Sequence, residues 1–321
     1  MKYAPMGRTG VQVSTLALGT ATFGVAPAVG EAERVVAKAL DLGINYFDCA
    51  NSYGNQSRFD RPGVPPADQR ESAEEILGRA LKSRRNDVII STKVREPVGT
   101  GPNDQGLSRL HIMNQVERSL KRLGTDHIDL YYGHHPDPNT PIEETMRTFD
   151  DLIRQGKIRY ACLSTYNGWQ IVDALWAADR IGMVPPPVNQ MPYNLALRIV
   201  EREIVPACLQ HGLSLTVFSP LAGGLFTPAA DEQRKFSGGA RWGGQGFSEA
   251  HLELSARLKA IADQGGYTRQ QLALAWLISR PAVCSAVIGP ETVAELEANI
   301  GAADLDLPAD VLAAVDEIGK A

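Results

Sequence analysis

Several signatures are scarce or missing in this chain, and each gap removes a class of protein. It has only four cysteines, Cys49, Cys162, Cys208 and Cys284, with no CxxC pair. That spacing offers neither a zinc site nor a disulfide framework, and buried, reduced thiols are expected. A formal net charge of -5, from 32 Lys+Arg against 37 Asp+Glu, comes with no dense basic block. Nucleic acid and anionic membrane surfaces recruit such blocks, so neither is expected as a partner, and a small molecule is. Residues 1–19 hold no apolar run long enough for a secretory signal, and no later stretch approaches the roughly 20 apolar residues of a membrane span. The expected location is the cytoplasm.

What the chain does have is regular alternation. Short β-branched or aromatic runs at 15–20, 44–50, 87–94, 128–135, 158–164, 188–191, 214–220 and 285–290 read as eight strands. Between them, 31–43, 72–83, 109–124, 141–156, 167–182, 199–212 and 268–281 place apolar residues mostly at i, i+3, i+4 and i+7, the period of an amphipathic helix. Gly43, Gly124, Gly156, Gly182 and Gly212 each stand where a helix should stop before the next strand. Parallel strands joined by crossover helices are buried on both faces, and eight such units close into a (β/α)8 TIM barrel, here one domain over 1–321. An open doubly wound sheet is the alternative, but no GxGxxG turn follows the first strand.

Three segments break the alternation. Residues 2–14, with Gly7-Arg8-Thr9-Gly10 as a turn, read as a hairpin plugging the barrel bottom or else as a frayed terminus. The Gly-rich stretch 222–247 is too long for an ordinary connection and is expected over the C-terminal mouth as a lid. Residues 54–72 should rim the same mouth.

Strand ends carry the chemistry in such a barrel, because all of them converge on one mouth. Asp48 and Tyr53 follow the second strand, Lys93 ends the third, and His134 and His135 end the fourth. A neighbouring ammonium should lower the pKa of a tyrosine and make Tyr53 a usable proton donor and acceptor. A carboxylate beside Lys93 would hold it charged, and a neutral histidine would orient a carbonyl oxygen.

The segments Asp48-Cys49-Ala50-Asn51-Ser52-Tyr53-Gly54, Ser91-Thr92-Lys93 and Leu130-Tyr131-Tyr132-Gly133-His134 resemble the catalytic segments of the aldo-keto reductase family. The resemblance runs nearly end to end, through Gly7–Ser14, Leu18-Gly19-Thr20, Leu42–Asp48, Gly156–Arg159, Phe218–Leu221 and Ile288-Gly289-Pro290. It implies reversible NAD(P)(H)-dependent hydride transfer to an aldehyde, ketone, sugar or alcohol, with Asp48, Tyr53, Lys93 and His134 as a tetrad and Tyr53 as general acid or base. His135 is expected on the opposite face of the strand, in a structural role. Some relatives of this fold are regulatory subunits of channels, which is the alternative function. A lyase using Lys93 as a Schiff base is a third reading, weakened by the expected pairing of Lys93 with Asp48.

The resemblance also implies a dinucleotide lying across the mouth. Ser164, Thr165 and Gln190 would hold its carboxamide and Phe218 would stack on the nicotinamide. Thr20, Ser219, Pro220, Leu221, Gly223 and Arg241 would join them, with Ile288, Gly289, Glu291, Glu295 and Asn299 at the adenosine end. Thr165 and Phe218 stand where the family commonly has Asn and Tyr. Members preferring NADP usually carry a basic residue near Glu291 or Glu295, so these carboxylates lean the expectation toward NAD(H). Alternatively, both are first-turn helix residues favoured by the macrodipole, and Arg241 serves a phosphate. Tyr53, Phe23, Tyr132, Trp242 and Phe59 are candidate pocket walls, with Phe23 and Trp242 equally readable as packing residues. An oligomer is compatible with the sequence.

Overall fold

Eight parallel strands close into a barrel in the computed structural model, which describes residues 1–60, 62–228 and 246–319. They are β3 (Leu16–Gly19), β4 (Tyr46–Asp48), β5 (Ile89–Val94), β6 (Ile128–Gly133), β7 (Ile158–Ser164), β8 (Val188–Pro192), β9 (Ser214–Phe218) and β10 (Val283–Ile288). Each pairs with the next, and β10 returns to β3, so the barrel has no free edge. The fold is the (β/α)8 TIM barrel that the alternation predicts. Arg241, Trp242 and most of the 222–247 stretch lie outside the described residues.

The crossovers are α1 (Val29–Asp41), α2 (Ala73–Leu81), α3 (Arg109–Leu123), α4 (Ile142–Arg154), α5 (Gly168–Arg180) and α6 (Ile204–His211), followed by α7 (Glu249–Gly265) and α8 (Arg269–Ile278), both between β9 and β10. Helices α9 (Val293–Ile300) and α10 (Ala309–Ile318) come last. Local chemistry sets their ends. Ser72 and Glu75 close a capping box on α2, and Ser108 accepts from the His111 amide on α3. The five glycines expected as stops all have φ between 62° and 84°, a conformation that glycine adopts without a Cβ penalty. Helix α7 had no clear signal in the sequence: only Ser255, Leu258 and Ala262 of it are buried, so its apolar stripe is thin. Among the described residues, no helix is long and apolar enough to cross a membrane.

Two hydrophobic clusters divide the core. One fills the space between the helices and the outer face of the barrel; the other, including Ala17, Tyr46, Leu130, Tyr132, Cys162, Val188 and Cys284, fills the barrel itself. Period-two alternation sorts the strand residues between them. The hairpin of β1 (Tyr3–Pro5) and β2 (Gln12–Ser14) belongs to the inner cluster, into which it sends Met6 and Val13. The Gly7 amide donates to Ser214 Oγ at 2.7 Å, at the start of β9. This fixes the hairpin as a bottom plug rather than a frayed end. All four cysteines are free and buried.

Helices α2 and α3 touch at Gly78, where a Cβ would meet the Leu123 carbonyl oxygen at 2.4 Å. We expect Gly78→Ala to cost about 2–3 kcal/mol through overpacking. Gly124→Ala, with open space around it but a φ of 62°, should cost only about 1 kcal/mol. Urea unfolding of both variants checks this, and equal or reversed losses would contradict the close approach.

Candidate active site

The mouth is organised from the inside of the barrel. Asp48 on β4 pairs in register with Ser91 on β5, and Lys93 pairs with Tyr132 on β6. Tyr46 and Asp48, like Ser91 and Lys93, stand two apart, so the second residue of each pair sits nearer the C-terminal end of its strand on the same face. Below them the hydroxyls of Tyr46 and Tyr132 meet at 3.1 Å, both side chains fully buried. These phenols form a dry floor.

On that floor Lys93 is completely buried and donates to Asp48 Oδ2 at 2.6 Å and to the Cys49 carbonyl at 2.8 Å. The other Asp48 oxygen accepts from Ser91 Oγ at 2.7 Å and from Gln190 Nε2 at 2.9 Å. Three side-chain donors thus converge on one buried carboxylate. Burial opposes the Lys93 ammonium, but Asp48, together with Tyr53, outweighs it and the pKa rises above the ordinary lysine value. Lys93 is therefore a charged, bonded cation rather than a free amine, which argues against the Schiff-base reading.

Tyr53 is half-buried, with its ring centre 5.0 Å from Lys93 Nζ and T-shaped to the His134 ring, 5.8 Å between centres at 75°. Here one sequence-based expectation is corrected. Burial raises the phenol pKa by more than Lys93 lowers it, and the net shift is upward. The lysine moderates the cost of burial, and its charge is also answered by Asp48 at 2.6 Å. At neutral pH Tyr53 holds its proton.

The His134 amide donates to the Val94 carbonyl at 2.9 Å, which seats the residue directly after β6. Burial, reinforced by Lys93, keeps its imidazole neutral far below the usual histidine range. Its Nδ1 is buried without a hydrogen-bond partner among the described residues. His135 departs from expectation: strand β6 stops at Gly133, so alternation no longer applies. The two imidazoles stack at 5.0 Å and 21°, and His135 Nδ1 lies 2.9 Å from Glu96 Oε1.

Several residues to which sequence reasoning gave no individual role hold this arrangement. Glu74 on α2 is fully buried, accepting from Thr92 Oγ1 at 2.6 Å and from Arg122 Nη1 at 3.1 Å. Thr92 is the outward neighbour of Lys93, and the Asn51 amide donates to the Lys93 carbonyl at 3.1 Å. The signal was present: Glu74 shares the i, i+3, i+4, i+7 stripe of Leu77, Gly78 and Leu81. Arg70 anchors the 54–72 rim, its side chain 2% exposed and bonded to the carbonyls of Gly54, Gln56 and Pro65 and to Asp60. Ser91 bonds Asp48 as described. Of the aromatic wall candidates among the described residues, Phe23, Phe59 and Tyr132 are buried in packing, and Tyr53 is partly open.

Apart from Thr20, which follows β3, and Arg241, which lies outside the described residues, the residues expected around a dinucleotide occupy the ends of β7 to β10 and the segments after them. Ser164 pairs in register with Gln190, whose amide is committed to Asp48. Thr165 has φ 58° and turns its hydroxyl onto the Ser164 and His134 carbonyls, at 2.7 and 3.2 Å. Thr20 is buried, donating to the Asp48 carbonyl at 3.0 Å. Phe218 is partly open, Ser219 is exposed with φ 54°, and Leu221 and Gly223 follow in the same turn. Pro220, Ile288 and Asn299 are buried, whereas Gly289 is exposed with open space on its Cβ side. Glu295 Oε2 accepts from the Glu291 amide at 2.8 Å at the start of α9, and Glu31 Oε1 accepts from the Val293 amide at 3.2 Å. These carboxylates cap a helix N-terminus, as the macrodipole favours.

Residues 15–320 match the aldo/keto reductase family. An Arabidopsis thaliana protein named as a probable voltage-gated potassium channel subunit beta is 38% identical over 95% of this chain and 92% of its own length. An uncharacterized oxidoreductase of Bacillus subtilis, YrpG, is 36% identical over 99% of this chain and 96% of its own. The L-glyceraldehyde 3-phosphate reductase of Escherichia coli K12 is 32% identical over 99% and 92%. The chain belongs to the aldo/keto reductase family.

Removing one partner of a buried ion pair leaves the other charge uncompensated. Glu74→Ala should therefore destabilise the fold by about 3 kcal/mol, and Glu74→Gln by less, since the amide still accepts from Thr92. Denaturant unfolding reads this directly, and an unchanged midpoint for Glu74→Ala would refute the role given to the carboxylate.

Proposed function

We propose that this chain is an oxidoreductase that moves hydride reversibly between a nicotinamide dinucleotide and an aldehyde, ketone, sugar or alcohol. The reading rests on one observation: Asp48, Lys93, Tyr53 and His134, contributed by three adjacent strand ends, meet on a dry floor at the barrel mouth. Such a meeting suits a carbonyl whose oxygen becomes negative as hydride arrives at its carbon. Residues 1–321 are taken as a single domain.

The residues present fit a dinucleotide. The turn after β9 presents an open aromatic ring at Phe218 and left-handed backbone at Ser219, Ala222 and Gly223, the kind of local strain that gathers at ligand clamps. Ser164, Gln190 and Phe218 would hold the nicotinamide end, and Gly289 with Asn299 the adenosine end. When bound, the cofactor supplies or accepts the hydride. Tyr53, protonated at neutral pH, gives its proton to the carbonyl oxygen in reduction and takes it back in oxidation. Lys93 stabilises the phenolate left behind, and Asp48 keeps Lys93 charged and aimed. His134, uncharged, donates a hydrogen bond that orients the substrate without competing for the proton.

A second reading has the support of the plant relatives' names: a cofactor-binding subunit of a channel. Cofactor binding without turnover on a panel of carbonyls and alcohols would favour it.

Tyr53→Phe should lower kcat by about 10²–10⁴, the usual worth of a positioned acid or base, while fluorescence titration shows cofactor binding within about twofold of wild type. Near-normal turnover in that variant would refute the assignment. For cofactor choice we propose NAD(H), because Glu291 and Glu295 stand where relatives preferring NADP carry a basic residue for the 2′-phosphate. Steady-state kinetics with both cofactors should give the higher kcat/KM for NADH, and a higher value for NADPH overturns the preference.

A further inference from the structure

Overlapping the tetrad at His134 lies a second group of ligating side chains, whose other two members take no part in hydride transfer. One imidazole nitrogen of His134, one of His135 and a carboxylate oxygen of Glu96 all lie within 4.8 Å of one another. Among the described residues this is the one such trio of His, Cys, Asp or Glu. We propose that these three side chains form a binding site for a single divalent transition-metal ion of the zinc class, and that its occupancy removes His134 from carbonyl chemistry.

Three observations carry the proposal. The donor set of two imidazoles and one carboxylate is the set that zinc accepts, with water or substrate in a fourth position. His134 Nδ1 is buried with no hydrogen-bond partner among the described residues, an unusual cost that coordination through that atom would remove. The imidazoles stack 5.0 Å apart at 21°, which keeps their nitrogens near one another, and a turn of the His135 ring out of the stack would bring both in-plane lone pairs onto one ion. Tetrahedral bonds of about 2.1 Å require ligand atoms about 3.4 Å apart. The His135 side chain, 43% exposed, has room to swing and close the difference.

Electrostatics set the strength. The Glu96 carboxylate supplies the one negative charge of the donor set, and His135 Nδ1 lies 2.9 Å from its Oε1. Arg95 and Arg58 also lie beside Glu96, at 3.3 and 3.9 Å, and with Lys93 they oppose a dication. Micromolar rather than nanomolar affinity follows. A bound ion would pin the His134 ring and add positive charge next to Tyr53, so that the imidazole no longer turns to meet the substrate.

Binding does not depend on turnover, whereas inhibition rests on the proposed function, so two readouts separate the claims. Calorimetric titration of the purified chain with zinc chloride should give one site per chain at micromolar affinity. His135→Ala and Glu96→Gln, neither of which touches the reacting atoms, should each weaken it by about tenfold or more. In assays, zinc should inhibit wild type reversibly, with restoration by EDTA, and inhibit the two variants at correspondingly higher concentrations, while their metal-free rates stay near wild type. No saturable heat, or equal affinity in wild type and both variants, overturns the site. Tight binding that leaves wild-type turnover intact overturns its effect on His134. If no substrate is turned over at all, the titration still decides the site and the failure belongs to the proposed function.

Discussion

The Asp48–Lys93 pair, closed at 2.6 Å in a place with almost no water, is the interaction on which the mouth depends. Two charges taken out of water are costly, and their attraction offsets this only when every remaining lone pair and proton is answered. Here Ser91, Gln190 and the Cys49 carbonyl answer them. The pair thereby links four elements: β4, the turn after it, β5 and β8. Because Lys93 is satisfied by Asp48, it does not take the proton from Tyr53, and because it is still charged, it makes a buried phenolate tolerable. Both halves of a reversible proton transfer follow from one ion pair.

Behind the pair, the barrel has a graded interior. Methyl and thiol groups fill the bottom, two hydrogen-bonded phenols form the middle, and the ionic layer lies on top. On the outer face Glu74 and Arg122 hold Thr92, whose backbone is continuous with Lys93. A side chain in the inner layer is thus braced by a second ion pair on the opposite face of the same strand. Rigidity of this kind keeps catalytic groups within the narrow tolerance that chemistry demands.

Much of this was legible in the sequence, and the reasons are local. Alternation of β-branched runs with helical periods gave the barrel, and the five helix-ending glycines marked its joints because a left-handed turn leaves so few alternatives. Asp48, Tyr53, Lys93 and His134 were visible as strand-end polar groups. The direction of the Tyr53 shift was not, because it depends on how much water burial removes, a three-dimensional quantity set against a single nearby charge. His135 was misplaced because alternation was carried two residues past the end of β6. Glu74 went unnoticed since a glutamate in a helix's first turn reads as a solvated N-terminal charge, although its position in the stripe of Leu77 and Leu81 said otherwise. Helix α7 offered too thin an apolar stripe to stand out.

Arg70 carries a consequence for how the rim is built. Its guanidinium gathers three backbone carbonyls and one carboxylate from a segment whose described residues form no regular secondary structure beyond two single turns. Carbonyls belong to every residue type, so the path of the segment is tied to its main chain and hardly to the side chains that face the mouth. Those side chains are therefore open to exchange, and the entrance can be re-lined for a differently shaped guest while the barrel beneath keeps its form.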